Sequence, residues 1–298
     1  MKILITGCNG FIGSYLVSRL GRIPEIELIV VSRSAPRVVP PNATPEILDI
    51  TNGKQVSYCM ARYIPDVVVH CAAMASVDMC ESNKEEAWRV NVEATYGLLG
   101  EAEKWSAHFV FLSTDFVFSG RDRSYTESDI PNPVSFYGIT KHQAEQYVMQ
   151  SSTPWTLVRP VLVFGHSKPF MRKNVFSWIY GELKQGATMQ LVDDQVRTPT
   201  YVEDLAWALT QIVLHKITGT IHIGGFEVLS VYAFGLRLAH YFQFATENLL
   251  PIPSKSLPGA NLRPQRTVFN NLKAQRLLNY QPTPLEASFQ QLKECLTD

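Results

Sequence analysis

Lys2-Ile3-Leu4-Ile5-Thr6-Gly7-Cys8-Asn9-Gly10-Phe11-Ile12-Gly13 decides the fold. A short apolar run ends in glycines spaced three apart, and Ile12, Leu16 and Leu20 then recur every fourth residue, the mark of a helix with one apolar stripe. In a strand–turn–helix arrangement the helix N-terminus offers N–H donors and positive potential to a pyrophosphate. Gly7 permits the tight turn, Gly10 lets the backbone approach the phosphates, and Gly13 lets helix and strand pack closely. Taken alone the stretch is an ordinary glycine-rich turn. Its context makes it a dinucleotide loop, with Asn9, Phe11 and Ile12 beside the glycines.

Outward from this loop, short strands alternate with helical patterns. Strands are expected at Lys2–Thr6, Glu27–Ser32, 45–48, 66–71, 108–113 and 156–159, and continuous apolar runs such as Val67-Val68-Val69 suit strands buried on both faces. This is the pattern of an α/β, Rossmann-type doubly wound parallel sheet. Residues 1–164 form the dinucleotide domain, and 199–226 return to it through a strand at 220–224. Residues 165–198 and 227–298, broken by prolines at 251, 253, 258, 264, 282 and 284, form a smaller C-terminal substrate-binding lobe.

Where the second strand ends, an acidic residue would hold the ribose 2′-hydroxyl of NAD, but the chain has Ser32-Arg33. A hydroxyl and a guanidinium suit a 2′-phosphate, so NADP(H) is preferred and NAD(H) is admitted; the competing reading is a surface arginine near Arg37. Asp49-Ile50 is placed to flank an adenine, although a turn or cap role suits Asp49 equally.

Tyr137-Gly138-Ile139-Thr140-Lys141 sets a phenol one helical turn before an ammonium, so the two share a face. A nearby cation favours phenolate and would bring the tyrosine closer to working pH, fit to exchange a proton with a carbonyl or alcohol. Ser113-Thr114-Asp115-Phe116 follows the fifth strand, at the carboxyl edge where such sheets bind ligands, and the Thr114 hydroxyl can polarise a carbonyl there.

Gly7, Gly10, Gly13, Thr114, Tyr137 and Lys141 together resemble an extended short-chain dehydrogenase/reductase. The resemblance is closest to the dTDP-4-dehydrorhamnose reductase-like family. It is carried further by His70-Cys71-Ala72-Ala73-Met74-Ala75-Ser76-Val77-Asp78, Glu81, Val163-Phe164-Gly165, Asp194-Gln195, Pro199-Thr200, Asp204-Leu205-Ala206 and Arg263-Pro264. It implies that Tyr137 is the acid/base, that Lys141 holds the nicotinamide ribose, that Thr114 orients the carbonyl and that Asn91 supports a water relay. It also implies a cofactor wall at Cys71, Ala72 and Ala73, and a substrate wall at Thr114, Asp115, Phe116 and Leu162. Nucleotide-sugar 4,6-dehydratases carry Thr-Asp-Glu, where this chain has Phe116, which lacks any acid/base function, so dehydration is not expected. The sugar reductases usually have Tyr at 116 and Trp at 162, so Phe116 and Leu162 remove polar and aromatic contact from the pocket.

The expected activity is NADPH-dependent reduction of a keto group on a nucleotide-linked 4-keto-6-deoxy sugar. Two alternatives stand beside it: an epimerase that retains NAD, and a non-catalytic NADP-binding regulatory subunit resembling that of methionine adenosyltransferase. No metal is implied. Lys+Arg and Asp+Glu balance at 27 each among 298 residues, which argues against nucleic acid as a partner. No apolar run approaches the roughly 20 residues of a membrane span, and the chain enters a strand at once, leaving no signal peptide, so a cytoplasmic protein is expected. Five scattered cysteines suggest neither a zinc site nor a disulfide framework, and a homodimer is allowed. His222, Trp178-Ile179-Tyr180 and Tyr241-Phe242-Gln243-Phe244 are read as packing residues, as is Cys8.

Overall fold

The computed structural model describes residues 1–168 and 171–297. The first half supplies six strands, with helices between all but the second and third: β1 (Lys2–Thr6), β2 (Glu27–Ser32), β3 (Ala43–Ile47), β4 (Val67–His70), β5 (His108–Leu112) and β6 (Trp155–Pro160). With the returning strand Gly219–Ile223 they form one seven-stranded sheet, in the order returning strand, β6, β5, β4, β1, β2, β3. Every pairing in it is parallel. The order reverses between β1 and β4, where open α/β sheets leave a crevice at the carboxyl ends of the strands.

Helices cover both faces. On one, α1 (Phe11–Leu20) packs against α8 (Val202–His215) over Ile3, Ile5, Val67 and Val69. On the other, α2 (Gly53–Tyr63), α5 (Ala94–Lys104) and α6 (Phe136–Met149) cover Leu4, Val68, Phe109 and Phe111. The two covers explain why β4 and β5 read as unbroken apolar runs: every residue of both strands is buried. β3 begins two residues before the expected 45–48. It is an edge strand paired only with β2, so it tolerates Pro45 and leaves Ile47 65% exposed.

The lobe has its own core. Phe176 and Ile179 from α7 (Val175–Lys184) meet Phe234 and Leu238 from α9 (Val231–Phe242) and Phe289 from α11 (Leu285–Thr297). The proline-rich tail is more ordered than its composition suggests: Leu249–Ile252 pairs in parallel with Met189–Val192, and Val196–Arg197 lies between Leu229–Ser230 and Arg266–Thr267. The expected boundary needs one correction. Residues 272–280 do not belong to the lobe: Ala274, Leu278 and Tyr280 sit in the sheet's core, where the Lys273 ammonium donates to the Thr220 carbonyl at 2.7 Å. Tyr280 Oη donates to the Gly224 carbonyl, also on the sheet side. Among the described residues, no helix is long and apolar enough to cross a membrane.

Phe289 is fully buried against Phe164, Phe176 and Phe234. Phe289→Ala is expected to lower stability by about 3–5 kcal/mol in denaturant melts, whereas half-exposed Trp178→Ala should stay within about 0.5 kcal/mol.

Candidate active site

The glycine loop leaves β1 and turns at Gly7, whose φ of 70° lies in the left-handed region that suits glycine. Gly13 packs so close to the Gly7 carbonyl that a Cβ there would overlap it. Gly10 caps α1 without a side-chain bond, which leaves the first N–H groups of the helix facing the crevice. Asn9 has a clamping role: its amide nitrogen donates to Ser32 Oγ at 2.9 Å and to the Ala35 carbonyl at 3.0 Å, and its oxygen accepts from Arg37 N–H at 2.8 Å. The loop after β2 is thereby fixed beside the glycines. Ser32 donates to the Ser34 carbonyl, so its hydroxyl shapes this loop, and exposed Arg33 is left as the group facing outward from it.

A crevice of 320 Å³ runs from this loop between Leu48, Asp49, Ile50, Cys71, Ala72 and Ala73. Asp49 does not reach into it with both oxygens. One carboxylate oxygen accepts from Thr51 N–H at 2.9 Å and Thr51 Oγ1 at 2.8 Å, the turn role left open by the sequence. Those bonds, the backbone one first, aided by Arg33 and Arg89, hold its carboxyl below the usual range against the opposing effect of burial. At the crevice floor the His70 ring bridges Thr6 Oγ1 at 2.7 Å and Thr95 Oγ1 at 3.0 Å. Burial, and then Lys141, drive this imidazole down to about 3, so it is neutral and ties β1 and β4 to α5. Cys8 is buried and its thiol is pushed up by burial, as befits a packing residue.

The crevice opens into a cavity of 850 Å³ lined by Thr114, Phe116, Tyr137, Lys141 and Leu162 together with Gly7 and Gly10. α6 delivers two of these groups. Ser135 caps its start, accepting from Gly138 N–H at 3.1 Å, and Glu81 accepts from Phe136 N–H at 2.6 Å. Tyr137 and Lys141 are 8% and 2% exposed. The Lys141 ammonium lies 3.9 Å from the centre of the Phe111 ring, and burial draws it down to about 7 against the opposing pull of Glu145. Here the structure departs from the expectation of a tuned phenol. Burial pushes Tyr137 well above its ordinary value, a hydrogen bond with Thr114 opposes this, and Lys141 is not among the charges acting on it. The reason is burial itself: Lys141, drawn down to about 7, has shed its charge before so raised a phenol would ionise.

Thr114 Oγ1 accepts from Phe116 N–H at 3.2 Å, and the Phe116 ring meets Tyr137 edge-on at 5.8 Å. Asp115 is only 3% exposed and its carboxylate is occupied: Arg197 Nε lies at 3.3 Å and Thr267 Oγ1 donates to the same oxygen. It therefore ties the 113–118 segment to the lobe and offers a substrate no free oxygen on that side. Asn91 is likewise a brace. A single π-type turn at Arg89–Glu93 swings it inward, where it accepts from Met74 N–H at 2.8 Å and donates to the Met74 carbonyl and to Thr140 Oγ1. Thr140 in turn donates to the Tyr137 carbonyl at 2.8 Å. With its amide filled in this way, Asn91 has no donor left over for a water relay. Leu162 sits on the cavity wall with φ at 39°, a backbone conformation a leucine adopts only under constraint, here from the Thr200 bonds to Val161 and Leu162.

Sequence reasoning missed Arg172 and Lys173, which line the far end of the cavity with Arg263. The first two follow the Val163-Phe164-Gly165 element in an irregular segment, where no spacing marks them. Arg263 Nη2 donates to both carboxylate oxygens of Asp78 at 2.8 Å, joining the lobe to α3 (Val77–Ser82) beside the cavity. Among the described residues there is no group of three or more His, Cys, Asp or Glu that could hold a metal ion.

The chain matches the family model described as the RmlD substrate binding domain over residues 1–297. It is 30% identical over 272 residues to a dTDP-4-keto-6-deoxy-D-glucose reductase of Streptomyces niveus, covering 90% of this chain and 88% of that one. It is 27% identical to the methionine adenosyltransferase 2 subunit beta of Mus musculus, covering 97% and 86%. In structure it is similar to a dTDP-4-dehydrorhamnose reductase of Bacillus anthracis solved in complex with NADP. The TM-score is 0.87 at 26% identity, with 98% of each chain covered.

A Cβ on Gly138 would overlap the Phe116 carbonyl oxygen, so α6 and the Thr114 segment touch backbone to backbone. Gly138→Ala is expected to cost about 1–3 kcal/mol in denaturant melts, because neither backbone can yield without moving Thr114 away from Tyr137. Unchanged stability would show that the two segments are not in contact.

Proposed function

The chain belongs to the RmlD substrate-binding family, as an NAD(P)-dependent oxidoreductase of the extended short-chain type with NADP(H) the preferred dinucleotide, and on that footing we propose that it reduces the ketone of a nucleotide-linked 4-keto-6-deoxy sugar. The observation that carries the reading is the pairing of a buried, protonated Tyr137 with Thr114 at the end of a glycine-lined crevice. The crevice suits a dinucleotide: a Cβ on Gly7 or Gly13 would strike the backbone of Ala72 or of Gly7 itself, so only glycine allows so tight a turn, and the first N–H groups of α1 lack a side-chain cap. Gly7, Gly10 and Gly13 would hold the pyrophosphate, Arg33 the 2′-phosphate, Ile50 and Ala72 the adenosine, and Lys141 the nicotinamide ribose. When bound, NADPH supplies the hydride for the ketone carbon.

The rest falls to this chain. Thr114 holds the substrate oxygen beside the Tyr137 hydroxyl. Tyr137 donates its proton to that oxygen as negative charge develops there, and takes a replacement from solvent. A phenol kept above its ordinary value by burial is fully protonated at neutral pH, which suits donation and hence reduction. Phe116 and Leu162 present apolar surface next to the reacting group, fitting a 6-deoxy methyl rather than a hydroxyl. Arg172, Lys173 and Arg263 lie where a diphosphate would end.

A second reading is favoured by the likeness to the methionine adenosyltransferase 2 subunit beta, which covers 97% of the chain: a subunit that docks on a partner enzyme. Stoichiometric capture of one partner, with no turnover of any keto-sugar, would establish it.

Three measurements follow from the lead reading. NADPH oxidation against a panel of nucleotide 4-keto sugars should show turnover with at least one. Tyr137→Phe should lower that turnover by roughly 10²–10⁴-fold with NADPH affinity retained, and undiminished turnover would sink the mechanism. Arg33→Ala should weaken NADPH binding about tenfold and leave NADH binding unchanged, the scale of one charge-assisted contact.

A further inference from the structure

The buried stripe of α6 does not stop at Lys141. Tyr137, Lys141 and Glu145 follow one another at four-residue spacing, so three polar groups lie on the same face of a helix whose buried side should be apolar. Glu145 is fully buried and one turn behind the ammonium. It is held by the Arg159 guanidinium in a two-point fork, Nε to Oε1 at 2.8 Å and Nη2 to Oε2 at 2.6 Å. Arg159 is itself pinned. Its Nη1 approaches His222 Nε2 at 3.3 Å, and since arginine only donates, His222 accepts. His222 stacks on Phe269 at 4.1 Å, which fixes that ring in turn. A charged pair so deep in a sheet is a poor stabiliser compared with apolar packing of the same volume, so its presence behind an active-site lysine calls for another account.

We propose that Glu145 is the positioning residue for Lys141: locked by the Arg159 fork one helical turn behind it, it supplies the negative charge that keeps the ammonium protonated on the cavity wall. The inference rests on the assignment of Lys141 to the dinucleotide side of the site. Among the described residues, Glu145 is the carboxylate that acts on Lys141. His70 and Cys71 face it from the end of β4, Cys80 from α3, and Tyr137 from its own helix; His70 and Tyr137 are uncharged at neutral pH. Burial holds both thiols in the uncharged form. From β5 comes the Phe111 ring. Burial alone would raise the Glu145 carboxyl, but Arg159 first and then His142 draw it down to about 2, so its charge is permanent at any working pH. The sign follows. Burial lowers the Lys141 ammonium and Glu145 opposes that, so removing the carboxylate must lower it further and shed its proton at a lower pH.

The test is an NMR titration of Lys141 in lysine-labelled protein, its signal assigned by its loss in Lys141→Gln. In Glu145→Gln the titration midpoint should fall by about one pH unit or more, a tenfold loss of ammonium above it. That variant leaves Arg159 buried and alone, so Glu145→Gln combined with Arg159→Met, which removes both charges, is titrated as well and should show a smaller fall. The alkaline limit of NADPH binding, followed by fluorescence, should move down with the midpoint. A midpoint unchanged in both variants overturns the inference, even if the wild type turns over a keto-sugar. A midpoint that falls in a protein with no turnover supports the role of Glu145 and counts only against the proposed reaction.

Discussion

The site depends on α6 being pressed against the carboxyl edge of the sheet. At its start, Gly138 meets the backbone of Phe116, and Ser135 and Glu81 close the first turn. In its middle, Thr140 is braced through Asn91 to the loop after β4. One turn beyond Lys141, Glu145 is tied to β6 through Arg159. Three separate constraints thus fix one helix against three strands' ends, and Tyr137 and Lys141 inherit their positions from them. A phenol and an ammonium on a surface helix would be free to sample rotamers; here both are buried and each has little choice of direction.

Burial that positions the groups also sets their protonation. Tyr137 stays a phenol and is suited to give up a proton, while Lys141 is drawn toward neutrality and needs a carboxylate to remain a cation. The two effects have one cause and opposite consequences, because desolvation penalises the charged form in each case. A second buried pair, Asp115 with Arg197, works between domains: it hooks the Thr114 segment onto the strands of the lobe, so the two are held in register.

Much of this was legible in the residues. The glycine spacing and the unbroken apolar strands carry the parallel sheet, because a strand covered on both faces has no polar residues to alternate with. Tyr137 and Lys141 share one cavity wall for the same reason they stood out, their four-residue spacing on α6, and Thr114 joins them from the segment after β5. What was not legible depends on contacts between residues distant in sequence. Asp115 looks like a cavity acid until Arg197 and Thr267 reach it, and Asn91 looks free until a π-type turn aims it at Met74. Residues 272–280 lie in a proline-punctuated tail, yet Tyr280 finds its place under the returning strand, which no local pattern foretells. Glu145 was the nearest miss, since it simply continues the four-residue spacing of Tyr137 and Lys141.

The central claim is that this cavity passes hydride to a sugar ketone. Incubating the protein with a nucleotide-linked 4-keto-6-deoxy sugar and NADPH deuterated on the transferable nicotinamide position, then weighing the product, tests it most directly. The account predicts an alcohol carrying one deuterium at the former carbonyl carbon. Product without deuterium, or bound NADPH with no product from any such sugar, would contradict it.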